Sequence, residues 1–205
     1  RYNHLLQQRN ALLRQIRDGK SKEEELDPWD EQLTALGITL ITKRALLIES
    51  LYPLVNRFYK AFSGGIDELN LGYVKSAEAE RLGEKLAAHH ARDIATGVTN
   101  IGPHRDDLSF LFNEHDMQSF ASRGEWRSLV LALKLAEKEW LKSELHTDPL
   151  LLLDDVFSEL DEARQKYLME HLGNSQTFLT TTHAEFLEQI KLKKVVYEVG
   201  EGRVG

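Results

Sequence analysis

Two adjacent carboxylates, Asp154 and Asp155, directly follow the apolar run Leu150-Leu151-Leu152-Leu153. A short continuous apolar run of this kind predicts a buried strand, and open α/β sheets bind their ligands at the carboxyl ends of strands. In a site that handles phosphate, the first carboxylate holds Mg²⁺ directly or through water, and the second orients or deprotonates the attacking water. A strand that simply ends in a turn is the alternative, because aspartate is common at turns.

The segments around this pair favour the phosphate interpretation. The acids open Asp154-Asp155-Val156-Phe157-Ser158-Glu159-Leu160-Asp161, which resembles the Walker B motif and D-loop of ABC-type ATPases. Upstream lies Ala121-Ser122-Arg123-Gly124-Glu125-Trp126-Arg127, which is similar to the signature motif of those enzymes. Downstream lies Thr180-Thr181-Thr182-His183, which is similar to the segment that carries their switch histidine. Three motifs in this order indicate kinship with that class.

Further segments narrow the resemblance to the RecF family, bacterial recombination mediators related to SMC heads. They are Asn100-Ile101-Gly102-Pro103-His104-Arg105-Asp106-Asp107-Leu108, Phe120-Ala121-Ser122-Arg123-Gly124 and Leu129-Val130-Leu131-Ala132-Leu133-Lys134-Leu135-Ala136-Glu137. The motif-level match covers about residues 100–183, whereas residues 1–95 match only in helical pattern and composition. Within the 102–107 segment, the sequence leaves open whether Arg105 contacts DNA or phosphate or pairs with an acid at a turn.

The resemblance implies roles for the acidic and histidine residues of the head. Asp154 would hold Mg²⁺, and Asp155 would be the catalytic carboxylate that acts on the attacking water. His183 would donate to the γ-phosphate of ATP or orient the water. Most ABC enzymes carry Glu at the position of Asp155, although an Asp-Asp pair matches the RecF pattern. The shorter side chain lies farther from the water, so we expect slow hydrolysis.

The signature segment has a physical argument of its own. Ser122 and Glu125 have the spacing of a capping box, and Gly124 leaves the first-turn amides unshielded. Such a start stabilises any helix, and the same amides and helix dipole attract phosphate. By resemblance, Ser122 and Gly124 meet the γ-phosphate bound to a partner subunit, and Asp161 lies at the seam of a head-to-tail dimer. Glu125 replaces the usual Gln, and its carboxylate would repel a triphosphate without an intervening cation.

A phosphate-binding P-loop, Gly-x-x-x-x-Gly-Lys-Ser/Thr between a strand and a helix, is missing from the sequence. Its only candidate, Gly19-Lys20-Ser21, has Arg14 where the first Gly belongs and follows a helical pattern, so we interpret it as a helix end. The chain also begins at Arg1 without an initiator Met. We therefore expect the C-terminal portion of a longer protein, in which ATP and Mg²⁺ also need the P-loop half. The chain alone is not expected to hydrolyse ATP.

Composition predicts a globular piece with a core, since 41% of the residues are apolar. No uncharged apolar stretch approaches membrane-spanning length, so the cytoplasm is the default location. The absence of Cys excludes disulfides and thiolate metal sites. The net charge of −7, from 33 acids against 26 bases, argues against a simple basic DNA-binding stripe. Local basic candidates, each of which is more often a solvated surface residue, are Arg1, Arg9, Arg14, Arg17, Lys20, Lys43, Arg44, Arg57, Lys60, Lys191, Lys193 and Lys194.

Residues 1–95 predict a helical arm. Apolar spacing indicates one helix to about residue 18 with Gly19 as its stop, and a second from Asp27-Pro28 to about residue 62 that Pro53 would bend or divide. A strand at 69–74 and a helix at 77–90 follow. The pattern does not separate the helical lobe of an SMC-type head (lobe II) from a plain helical bundle.

Residues 96–205 predict the C-terminal half of an ABC-type head, with an α/β (α+β overall) fold. The predicted strands are 107–112, 150–153, 177–181 and 195–199, and the predicted helices are 122–145, 161–172 and 184–189. This alternation favours a mainly parallel sheet with helices on its faces.

The resemblance also implies a function for the whole protein. It would bind gapped or junction DNA, dimerise on ATP, and work with RecR and RecO to load RecA during recombinational repair and the SOS response, near the bacterial nucleoid. A module that binds DNA or protein without catalysis is the first alternative. Another SMC-like head is the second, although the arm is short for a coiled coil.

Overall fold

The structure, a computed structural model, describes residues 1–65, 69–172, 175–182, 190, 193–200 and 203–204. The chain divides into two compact units, Arg1–Trp140 and Leu141–Gly205. The first unit contains most of the helices and an antiparallel sheet, and the second carries the two adjacent carboxylates.

Four α-helices make up the arm of the first unit: α1 (Tyr2–Arg17), α2 (Asp27–Phe62), α3 (Leu82–Ala88) and α4 (His90–Thr96). Short 3₁₀ helices, Glu23–Leu26 and Ala79–Arg81, precede α2 and α3. Gly19 follows α1 at φ 72°, a conformation that glycine adopts without strain, so its predicted role as a helix end is confirmed. The helix α2 continues through Pro53, which does not divide it.

The single helix predicted for 77–90 is wrong. The chain instead forms the 3₁₀ turn, α3 and α4, with a break at His89. The backbone N–H of His89 bonds to the carbonyl of Leu86 three residues back, and its Nδ1 lies 2.9 Å from the carbonyl oxygen of Lys85. Tightening of the last turn therefore ends α3 before α4 begins.

A three-stranded antiparallel sheet packs with the arm. It consists of β1 (Leu69–Val74), β2 (Asp107–Phe112) and β3 (His115–Asp116) in that order. β1 and β2 pair along their whole length, from Leu69 opposite Phe112 to Val74 opposite Asp107. The predicted mainly parallel sheet is therefore wrong for β2. This pairing connects a strand before residue 95 with a strand after it, although the sequence places the boundary between arm and head there. The division of the chain into arm and head at that residue remains a prediction.

Two apolar clusters of described residues stabilise the arm. One contains the buried residues Leu33, Ile41, Ala77, Leu82 and Leu86. The other contains Leu12, Leu13 and Leu26. Each fully buried leucine contributes about 1.5–3 kcal/mol from the transfer of its side chain out of water. Two further helices complete this part of the chain, α5 (Met117–Phe120) and α6 (Arg123–Leu145), the second of which continues into the second unit.

The second unit contains β4 (Leu151–Asp154), a 3₁₀ helix (Val156–Glu159), α7 (Glu162–Leu172) and β5 (Thr177–Thr180). β4 and β5 are parallel, as the alternation of strand and helix predicts. The strand predicted for 195–199 is wrong, because regular pairing there is confined to β6 (Val199–Gly200) with β7 (Arg203–Val204). The helix predicted for 184–189 lies outside the described residues. Among the helices that are described, none has the length and apolarity to cross a membrane.

Candidate functional site

The carboxyl ends of β4 and β5 bring the first acid of the pair next to a threonine. Asp154 stands opposite Thr180 at the last register position of the two parallel strands. Both residues are exposed. Because parallel strands present their carboxyl ends on one edge, this edge is where an α/β sheet places its ligand.

Hydrogen bonds link the Thr180 hydroxyl to both acids. Its Oγ1 donates to Oδ1 of Asp154 and accepts the backbone N–H of Asp155 at 3.1 Å. The same N–H also lies 3.1 Å from the carbonyl oxygen of Thr180. The side chain of Asp154 and the backbone of Asp155 therefore share one anchor on β5.

Asp155 adopts a left-handed backbone conformation, with φ 47° and ψ 28°. Aspartate is one of the few side chains that tolerate this region. Ser158 holds the residue from the other side, because its Oγ lies 2.9 Å from the Asp155 carbonyl oxygen and 3.0 Å from Oδ2. Oδ1 of Asp155 is buried and has no hydrogen-bond partner in the part of the chain that the structure describes. A buried acceptor of this kind is costly unless something binds to it.

A side chain of α7 holds the turn that follows Asp154 and Asp155. Gln165 is 5% exposed, and its Nε2 donates to the carbonyls of Phe157 and Leu160, each at 2.9 Å. Asp161 caps α7: one carboxylate oxygen accepts the Arg164 N–H and the other accepts Nη1 of Arg164, both at 2.9 Å. The carboxylate of Asp161 is exposed, and it stabilises the helix start in addition to any role at a dimer seam.

The signature segment begins α6 as a capping box. The carboxylate of Glu125 accepts the Ser122 N–H at 2.5 Å, and the Glu125 N–H lies 3.3 Å from Ser122 Oγ. Ser128 Oγ donates to the carbonyl of Gly124 at 2.9 Å. Glu125 therefore stabilises the helix start directly, which gives a structural reason for an acid at this position. Ser122 is exposed, as a phosphate contact requires.

The 102–107 segment is built into the first unit by its own polar groups. Gly102 exchanges hydrogen bonds with Ser76, at 2.9 Å and 3.0 Å. Asp106 accepts the Ser76 N–H at 2.8 Å and the Tyr73 hydroxyl at 2.5 Å. Arg105 Nε donates to a backbone carbonyl, that of Thr99, at 3.2 Å and not to an acid. Of the two open interpretations of this segment, these contacts favour a structural role.

Burial shifts the titration of the aromatic groups beside that segment. Burial and the hydrogen bond to Asp106 raise the pKa of Tyr73 to about 12. Burial lowers the pKa of His104, and the positive charge of Arg105 lowers it further. The ring lies between two partners, with Nδ1 3.0 Å from the Tyr2 hydroxyl and Nε2 2.9 Å from the Thr99 carbonyl. A neutral His104 with its proton on Nε2 satisfies both hydrogen bonds, because Nε2 donates to the carbonyl and Nδ1 accepts from the hydroxyl.

Arg9, which the sequence offers as a DNA contact or a solvated side chain, is neither. It is 0% exposed and lies between Asp30, at 2.6 Å, and Asp93, at 2.8 Å. Its Nη1 also donates to Thr99 Oγ1 at 2.9 Å, while Nη2 is buried without an acceptor among the described residues. A guanidinium in this setting cannot reach a phosphate backbone.

The structure adds three residues that the sequence did not single out for the site: Thr180, Ser158 and Gln165. Thr180 and Ser158 lie inside quoted motifs, so a hydroxyl close to the acids was a visible signal. Nothing in the sequence marks Gln165, whose role depends on the approach of α7 to the turn. His183 lies outside the described residues. No group of three or more His, Cys, Asp or Glu side chains with metal-binding proximity occurs within the described ranges.

Comparisons with known proteins agree on one family. No family model matches the chain. The DNA replication and repair protein RecF of Moorella thermoacetica is 45% identical over 98% of this chain and 55% of its own length. The protein of the same description from Lachnoclostridium phytofermentans is 42% identical over 99% of this chain and 57% of its own length.

Two solved structures are also similar, and both are of the recombination mediator protein RecF in the RecFOR pathway. The one described as RecF-ATPrS superposes with a TM-score of 0.85 at 32% identity and covers 99% of this chain and 56% of its own. The one described as RecF-ATP has a TM-score of 0.86 at 31% identity and covers 100% of this chain and 56% of its own.

Similarity to these structures, together with the acids at the end of β4 and the capped start of α6, defines the class as an ABC/SMC-type ATPase head. Within that class, the chain belongs to the RecF family. It spans a little over half the length of the curated relatives that it matches.

Proposed function

We propose that this chain forms the Walker B and signature portion of a DNA-repair ATPase that uses ATP as a switch. The observation that carries the proposal is the state of the two acids. Each has one carboxylate oxygen anchored, Asp154 by Thr180 and Asp155 by Ser158. The other oxygen of each acid has no hydrogen-bond partner among the described residues. Such carboxylates are held in place and still able to bind something else.

Asp154 fits the role of magnesium ligand. Its carboxylate is exposed at the strand end, and oxygen ligands are those that Mg²⁺ prefers. Magnesium ions usually keep several waters and share one or two carboxylates with substrate phosphates, so a single protein acid is enough here. Bound Mg²⁺ would neutralise negative charge on the phosphates of ATP.

Asp155 fits the role of the carboxylate that orients or deprotonates water. Its buried, unpartnered Oδ1 is an acceptor for a water hydrogen. Ser158 and the Thr180 backbone fix the residue in its left-handed conformation, so little rearrangement is needed on ligand binding. The short side chain favours slow turnover, which suits a protein whose ATP-bound state must persist.

The remaining site residues complete the proposed dimer. Ser122 and Gly124, at the start of α6, contact the γ-phosphate held by a second copy. Asp161 lies at the seam between the copies, and His183 donates to the γ-phosphate or orients the water. ATP binding thereby closes a head-to-tail homodimer, and hydrolysis opens it.

For the whole protein, we propose the recombination-mediator role that relatives described as RecF suggest. The closed dimer clamps gapped or junction DNA, and it acts with RecR and RecO to load RecA in the bacterial cytoplasm at the nucleoid. Support comes from the identity to DNA replication and repair proteins over nearly the whole chain and from the similarity to ATP-bound RecF of the RecFOR pathway.

Asp155→Asn in the complete protein tests the proposal. The amide keeps the size of the side chain but is a poor base, so we expect the rate of ATP hydrolysis to fall about 100-fold, a barrier increase of about 2.7 kcal/mol. ATP-dependent dimerisation, measured by analytical ultracentrifugation, should be retained. The matched control is Asp148→Asn, which changes an exposed acid of the same unit that pairs with Lys142. The control should hydrolyse ATP at the wild-type rate.

Unchanged hydrolysis by the Asp155→Asn variant would contradict the catalytic role of this acid. That result would favour the alternative, in which the chain is a module that binds DNA or protein and its carboxylates have only a structural role. DNA binding that persists without ATP and without dimerisation would support that alternative directly.

A further inference from the structure

Among the described residues, the Thr180 hydroxyl is the one side-chain group that hydrogen-bonds to both Asp154 and Asp155. It accepts the N–H of Asp155 at 3.1 Å and donates its own hydrogen to Oδ1 of Asp154. The three groups form a directed chain, from amide to hydroxyl to carboxylate. In such a chain each hydrogen bond polarises the next, and the carboxylate receives the strengthened bond.

We infer that Thr180 is a positioning residue for the proposed ATP site. Asp154 is exposed, and the Thr180 hydroxyl is the only hydrogen-bond donor to its carboxylate in the described residues. Fixing Oδ1 restricts the side-chain rotamer, and Oδ2, which has no hydrogen-bond partner among the described residues, is left for a cation or its water. Thr180 itself touches neither water nor nucleotide in this role. It acts through Asp154.

The hydroxyl can be removed without breaking the strand pair. The N–H of Asp155 also bonds to the backbone carbonyl of Thr180 at 3.1 Å, so the backbone link between β4 and β5 survives. Valine has nearly the shape of threonine and equally favours strands. Thr180→Val therefore removes the hydrogen bond to the Asp154 carboxylate and one of the two acceptors of the Asp155 N–H, which keeps its bond to the Thr180 carbonyl.

The inference rests on the proposed function, because a positioning role requires that Asp154 bind the metal. Groups that orient a metal-binding side chain typically affect metal affinity or activity by about 10–100-fold when removed. We expect an effect at the lower end of that range, since the carboxylate itself remains. The expected loss is about 10-fold in kcat.

The experiment uses the complete protein with three substitutions. Thr180→Val removes the hydroxyl, and Thr180→Ser keeps it. The control is Thr177→Val, the same change on the same strand, where the hydroxyl donates to the nearby Ser175 carbonyl at 3.1 Å and to no other described group. Four quantities are measured for each: kcat for ATP, KM for ATP, the Mn²⁺ affinity by electron paramagnetic resonance with a slowly hydrolysed ATP analogue, and the melting temperature.

The result expected is a specific pattern. Thr180→Val lowers kcat and Mn²⁺ affinity each by about 10-fold, with KM for ATP and the melting temperature close to wild type. Thr180→Ser restores both losses, and Thr177→Val shows neither. Equal values for Thr180→Val and Thr177→Val would overturn the inference, and so would equal impairment by Val and Ser, which would assign the effect to packing of the γ-methyl group.

The two proposals fail separately. If Asp155→Asn hydrolyses ATP normally, the proposed ATPase site is wrong. If Asp155→Asn is inactive but Thr180→Val binds Mn²⁺ and turns over like wild type, the site stands and only the positioning role of Thr180 is wrong.

Discussion

Charged groups are used in opposite ways in the two units of the molecule. In the first unit, Arg9 and Asp93 are both 0% exposed and 2.8 Å apart. Asp93 also accepts the backbone N–H and the side-chain amide of Asn100, at 3.0 Å and 2.9 Å. In the second unit, Asp154 and Asp155 each have one carboxylate oxygen anchored by another described residue and one that is not. The first arrangement uses charge to hold elements together, and the second keeps charge available.

The difference lies in how many carboxylate oxygens of each acid are hydrogen-bonded among the described residues. Asp93 connects α1, α4 and the loop after α4, so both of its oxygens are occupied inside the protein. Asp155 retains a buried oxygen with no partner among the described residues. A fold tolerates that cost where a ligand will supply the missing contact.

The largest expected change in stability comes from removing the ion pairs of the buried Arg9. Arg9→Met keeps the apolar length of the side chain but leaves Asp93 as an uncompensated buried charge. Breaking such a pair costs about 3–5 kcal/mol, so we expect the free energy of unfolding to fall by that amount. Chemical denaturation of the complete protein, followed by circular dichroism, measures it.

Arg14→Met is the matched control for this change. Arg14 lies on the same helix, is exposed, and has one long contact of 3.5 Å to the Gly97 carbonyl. A surface change of this kind alters stability by no more than about 0.5 kcal/mol. Equal stability of the two variants would show that the Arg9 network holds nothing together, and the contrast between the units would fail.

A smaller effect on stability is expected from the titration of His104. Burial lowers the pKa of this residue. The unfolded chain then binds more protons than the folded one as the pH falls below about 6.5, so stability is lost on acidification down to the folded-state pKa. His104→Gln preserves a donor toward the Thr99 carbonyl and an acceptor for Tyr2, but it does not titrate. Solvent screening of this half-buried group limits its contribution to less than about 1 kcal/mol.

Urea denaturation of both proteins between pH 7 and pH 5 checks the pH dependence. The difference in unfolding free energy between wild type and His104→Gln should move in favour of the variant as the pH falls. A parallel pH dependence for the two proteins would contradict a lowered pKa at His104, because the carboxylates that they share cancel in the difference.

Local patterns predicted the elements that carry the acids. Apolar runs and helical spacing gave β1, β2, α6 and β4 with bounds within a residue or so of those observed. Parallel pairing of β4 with β5 followed from the helix between them. The adjacency of Asp154 and Asp155 at a strand end was visible directly in the chain.

Long-range contacts limited the rest of the prediction. The antiparallel pairing of β1 with β2 joins segments separated by α3 and α4, which no local pattern specifies. Arginine is rarely buried, so the sequence assigned Arg9 to the surface. Thr180 acquired its contacts through the register of β5 against β4, and a one-residue slip would point its side chain to the opposite face.

The central claim is that the acids of this chain act in an ATP site that the chain does not complete by itself. The most direct test measures ATP binding and hydrolysis by the 205-residue chain beside the complete protein, with and without duplex DNA. We predict hydrolysis by the complete protein and none by the chain, whose sequence has no P-loop. Hydrolysis by the 205-residue chain alone would contradict the account and would place the phosphate site elsewhere.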